Sequence, residues 1–187
     1  GLAFAANAAV QLQVTAEVRE VAVGDEFAIR LTFTSEPEAI NALAGELIFT
    51  SEQLALQRVS TGSSVVSFWI QPPRAFNGKV AFSGVIPGGF TGRQAEIFTA
   101  VFSARQAGEA VVSVREPSAL LNDGRGTSLP VTVEARSLKI AAAVSSRPPF
   151  VLPVPEDRDP PEPFTPLVSR DPSLFDGRWF VAFATQD

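Results

Sequence analysis

Apolar and polar residues alternate with a period of two from Val10 to about Ile140, and turn-forming residues interrupt the alternation at short intervals. Val10, Leu12, Val14 and Ala16 alternate with Gln11, Gln13 and Thr15. After the Gly-Asp turn of VAVGDEF, Phe27, Ile29, Leu31 and Phe33 alternate with Arg30, Thr32 and Thr34. The signature returns at Leu43, Gly45, Leu47 and Phe49, at Val66, Phe68 and Ile70, and at Val80, Phe82 and Gly84. It returns again at Phe98, Ala100 and Phe102, at Ala110, Val112 and Val114, and at Val131, Val133 and Ala135. This predicts at least eight short strands. Pro and Gly fall between them and no window sustains a helical period, so the fold class is all-β, an antiparallel β-sandwich or barrel.

The alternation stops near Ser145. Nine of the fifteen prolines lie between Pro148 and Pro172, and a stretch so poor in backbone donors is expected to run as an extended polyproline-like arm without sheet ladders. Beyond it, Trp179, Val181 and Phe183 alternate with Phe180, Ala182 and Ala184, all apolar. A strand apolar on both faces expects cover on both, which predicts a buried Trp179. Such a strand would either fold back on its own sandwich or add to the sheet of a neighbouring copy or partner. The expected organisation is an apolar N-terminus at 1–9, a sandwich at 10–140, a Pro-rich linker or arm at 141–175 and a C-terminal strand at 176–187.

Composition narrows the chemistry. The 187 residues include no His, Cys, Met or Tyr, which excludes a Ser-His-Asp relay, a Cys-His pair, a thiolate zinc site and an imidazole base within the chain. A net charge of −5 without a local basic run gives no reason to bind nucleic acid or anionic lipid. No apolar run is long enough for a transmembrane helix. Ala6-Asn7-Ala8 and Ala3-Phe4-Ala5 have the small-x-small form cut by signal peptidase, so residues 1–9 read as a signal-segment remnant or an apolar mature terminus.

Four stretches are candidates for function. FSGVIPGGFTG is glycine-rich, but RQAEIFTAVFSA after it alternates as a strand, and a phosphate loop needs a helix there. Its glycines are expected to let the chain cross between strands, with Phe90 as a plug or an exposed partner contact. In LLNDGRGTSLP, Asn122 and Asp123 have the chemistry of a tight turn and are weak calcium candidates lacking the order of an EF-hand loop. If Val66, Phe68 and Ile70 face the core, Trp69 points outward to stack on a sugar or a partner, unless a loop or the arm covers it. Trp179, Val181 and Phe183 are partner-binding candidates of the arm. No carboxylate pair, Glu46 with Glu52 or Glu96 with Glu109, is marked out for glycoside hydrolysis, so the chain reads as no enzyme and needs no cofactor.

AINALAGELIFTSEQLALQRVSTGSSVVSFWI, followed by KVAFSGVIPGGFTGRQAEIFTAVFSARQAGEAVVSV and ALLNDGRGT, resembles the cohesin domains of bacterial surface and scaffolding proteins over roughly residues 10 to 138. Ile40-Asn41-Ala42, Phe49 and Leu54, Phe82-Ser83-Gly84 and Phe98 to Ala104 carry the resemblance. It implies a nine-stranded jelly-roll sandwich, secreted or at the bacterial cell surface. It also implies a binding or assembly role toward another protein domain, dockerin-like or a neighbouring copy. Thr50-Ser51-Glu52 departs from the family, which usually has Asp-Pro there, and no dockerin-contact motif is recognisable. Kinship with carbohydrate-binding modules implies polysaccharide as an alternative ligand, and the arm suggests a third role as a subunit of a surface filament or layer. SRDPSLFDGRWFVAFATQD resembles the opening of an immunoglobulin-like module.

Overall fold

Two long strands organise the molecule. In this computed structural model, which describes residues 10–18, 20–76, 78–143, 145–154, 167–170 and 178–182, β3 runs from Glu26 to Phe49 and β6 from Lys79 to Ala104. Each was expected as two strands joined by a loop. The chain instead bends without leaving the ladder, because register shifts between Ser35 and Ile40 absorb the turn from one layer to the other.

The other strands are β1 (Val10–Ala16), β2 (Glu20–Ala22), β4 (Leu54–Ser60), β5 (Phe68–Phe76) and β7 (Gly108–Leu121). They are followed by β8 (Ser128–Leu129), β9 (Val131–Glu134), β10 (Arg136–Ala141), β11 (Leu167–Arg170) and β12 (Trp179–Ala182). The first half of β3 pairs with β1 and with the second half of β6, while β9 and β4 flank them. The second half of β3 lies between β7 and the first half of β6, with β5 beyond β6 and β10 beyond β7. The result is a two-layered all-β sandwich, and no helix among the described residues is long and apolar enough to cross a membrane.

The core lies where the alternation places it. Leu12, Ile29, Leu31, Phe33, Leu43, Leu47, Phe82, Phe98 and Phe102 are all at most 2% exposed. Phe82 of one layer meets Phe98 of the other edge-on at 5.3 Å, and Phe49 meets Phe102 at 4.9 Å. Each such buried ring contributes about 1.5–3 kcal/mol through removal from water.

The chain divides into two compact units, residues 1–152 and 153–187. In the second, β11 pairs antiparallel with β12, Val168 opposite Val181 and Arg170 opposite Trp179. Two expectations are corrected here. A ladder does form inside the Pro-rich stretch, because the residues between Pro166 and Pro172 are free of proline. Trp179, expected buried, is 69% exposed and Val181 is 57% exposed, since among the described residues the two-stranded ribbon has no second layer over them. Phe183 lies outside the described residues.

Candidate partner-binding face

The outward side of the layer formed by β7, the second half of β3, the first half of β6 and β5 is a broad, shallow surface. Along β3, Leu43, Gly45 and Leu47 turn inward, so Ala42, Ala44, Glu46 and Ile48 turn outward. Val80, Phe82, Gly84 and Ile86 are buried on β6, which sends Lys79, Ala81, Ser83 and Val85 to the same side. Ala44 stands opposite Ser83 on one flank and Ser118 on the other, so the centre is floored by small side chains. Toward one end, Ile48, Phe49, Thr50, Val111 and Ser113 line a hollow of about 260 Å³.

A charged island sits on this floor. Glu46 hydrogen-bonds to Lys79 and accepts from Arg115 Nε at 3.0 Å as well as from its Nη2. The hydrogen bond from Lys79, then that from Arg115, holds the carboxyl below its usual range, and Glu46 in turn raises Arg115. One carboxylate between two cations leaves the island net positive on a chain whose net charge is −5. Exposed Arg74, opposite Ala81, extends the cationic edge.

Strand β5 supplies an apolar margin that the sequence pattern places on the wrong side. Phe68 pairs opposite outward-facing Val85 and is 62% exposed, and Ile70 and Phe76 are 67% and 65% exposed. Trp69, opposite Gly84, is half-buried and packs on the core. The expected phase is inverted because Val66, which is buried, precedes the strand and fixes nothing about the pairing of 68–76. Gly84 makes the arrangement fit: a Cβ there would stand 2.3 Å from Val66 and 3.0 Å from the Trp69 ring. Exposed Phe68 and Ile70 escape the sequence pattern because the alternation is carried from Val66 and Ser67, which lie outside the strand.

The remaining sequence candidates take structural places. Phe90 is half-buried, packs on the core, and meets Phe33 edge-on at 5.4 Å. Asn122 donates from its side chain to Gly88 O at 2.9 Å and from its backbone to Ala39 O. Gly89, at φ +78°, leaves room for it, since a Cβ would come within 2.4 Å of that amide. Thus the glycines of FSGVIPGGFTG admit a neighbouring side chain where β6 crosses between layers. The Asp123 carboxylate accepts from Arg125 N and from the Thr127 hydroxyl, which lowers its pKa and closes the turn. Glu96 accepts from Thr99. Among the described residues no cluster of three or more Asp, Glu, His or Cys could hold a metal ion.

No family model and no curated protein matches this sequence. Solved structures do. A non-cellulosomal cohesin from the archaeon Archaeoglobus fulgidus superposes with a TM-score of 0.58 at 14% identity, over 72% of this chain and 92% of that one. A cohesin of R. flavefaciens, in complex with a group 1 dockerin, gives 0.56 at 16%, over 73% and 97%. The cohesin module of a Clostridium perfringens family 33 glycoside hydrolase gives 0.53 at 13%, over 71% and 98%. The fold of this chain is therefore a cohesin-like β-sandwich.

Proposed function

We propose that the sandwich is a noncatalytic module that binds another protein domain through the outward face of β7, β3, β6 and β5, and that it works secreted or at a bacterial cell surface. The observation that carries this reading is the face itself. Small residues at Ala42, Ala44, Ala81 and Ser83 form a floor. An exposed apolar margin at Phe68, Ile70 and Phe76 and the Glu46–Lys79–Arg115 island complete it. Such a surface offers a close-approach floor of small side chains, an apolar flank and a charged orienting group, elements of a specific protein interface. The dockerin in complex with one structural neighbour names the class of partner to test first.

The polysaccharide alternative drew on an outward Trp69, and with that ring turned toward the core it loses its stacking platform. In the test, the immobilised chain is titrated with a panel of dockerin domains. Saturable binding that Ala44→Arg abolishes, without loss of thermal stability, is the expected result. Binding unchanged by Ala44→Arg, or no dockerin bound at all, would overturn the reading.

A further inference from the structure

The end of the sandwich where β3 begins holds a feature that this face does not explain. After β10 the chain turns back, and Arg147-Pro148-Pro149-Phe150-Val151-Leu152 lies across the turn between β2 and β3 as a strap. Its seat reads it residue by residue. Asp25 Oδ2 accepts from Arg147 at 2.7 Å and Oδ1 from the Phe150 backbone at 2.8 Å. The Glu26 backbone donates to Phe150 O at 2.7 Å, and its carboxylate accepts from Leu152 N at 3.1 Å. Arg58, ion-paired with Glu26, donates to Leu152 O. Pro149 lies where a Cβ at Gly24, at φ +96°, would stand 3.0 Å away. Beneath Phe150 and Leu152 a cavity of about 410 Å³ runs between Val18, Val21 and Phe27.

Every one of these contacts is made by one short continuous segment, and the seat is matched to it in charge and hydrogen bonding. A seat of this kind does not distinguish the segment of its own chain from that of an identical chain. Only residues 142–146, which include Ala142, Ala143, Ser145 and Ser146, connect strap to sandwich, and the chain beyond Leu152 forms a separate compact unit. We propose that the Asp25 seat is an exchangeable docking site. At high concentration a second copy's 147–152 segment occupies it, and copies join by reciprocal exchange of straps. This does not rest on the partner-binding face. The cis arrangement dominates in dilute solution, because a short connection holds the strap at an effective concentration on the order of millimolar.

Charge reversal tests the exchange in full-length protein. In Asp25→Arg alone or Arg147→Asp alone, the strap meets like charge at its own seat. In an equimolar mixture, exchange pairs Arg with Asp at both seats. The expected result is a monomer for each variant, a dimer by light scattering for the mixture, and a monomer again for the double variant at the same dilute concentration. A mixture that stays monomeric while both variants keep cooperative melting overturns the proposal. Where Asp25→Arg does not fold, the native chain decides, followed from about 0.1 mM to about 5 mM, a range that brackets that effective concentration. A dimer that grows with concentration and is lost in Arg147→Asp supports exchange, and a monomer throughout overturns it.

Discussion

Two carboxylates in this molecule are held by cations and have opposite roles. Glu46 stands on an open sheet face between Lys79 and Arg115, whereas Asp25, 7% exposed, lies under the strap with Arg147 and the backbone donors of Ala22 and Phe150. The Glu46 side chain is 17% exposed, but its donors are two long cations, one of them the 54% exposed Arg115, which can turn to water or to a bound partner. At Asp25 the donors are not replaceable, because an ionised group taken out of water must keep every donor it has. The two carboxylates thus differ in their donors, mobile side chains at Glu46 and fixed backbone N–H groups at Asp25.

The largest loss of stability is expected from Asp25→Ala, which strands the Phe150 and Ala22 donors and Arg147. It should cost about 2–3 kcal/mol, read from chemical denaturation. Arg147→Ala, which leaves the backbone donors in place, should destabilise less, and should expose the 142–152 segment to limited proteolysis while the sandwich stays intact.

Acid acts on both sites, since both carboxyls are held below their usual range, and substitution at Asp25 isolates its share. The pKa of Asp25 is lowered from 3.8 to about 2, chiefly by the Arg147 hydrogen bond. A depressed folded-state value means that the stability from this group is complete above about pH 4 and fades as pH falls toward 2. Asp25→Asn should flatten the dependence of the melting temperature over that window.

At the Glu46 island, Arg115→Ala should leave the melting temperature nearly unchanged while weakening the proposed partner binding and reducing its salt sensitivity. The smallest effect is expected at Phe68→Ser, within about 0.5 kcal/mol of the parent stability because the ring is already in water. Its influence should be confined to partner affinity, measured by calorimetry.

Much of the fold is legible in the alternation, because a strand with one covered face must repeat every second residue. Val10 to Val14, Phe27 to Phe33 and Leu43 to Leu47 are buried on the sides their patterns assign. The candidate site is less legible. Its floor is Ala and Ser, which carry no signal until two neighbouring strands place Ala44 beside Ser83 and Ser118. Glu46, Lys79 and Arg115 come from three strands far apart in sequence, and only the register of β3 with β6 and β7 brings them together.

Local periodicity and composition suffice for the all-β class, the inward residues of the long strands, the proline-rich break and the exclusion of histidine and cysteine chemistry. Packing across strands sets the rest: β3 and β6 each span both layers, Trp69 turns inward over Gly84, and Arg147 closes on Asp25. Those outcomes depend on what lies across from a residue, and a chain read in order does not state its cross-strand neighbours.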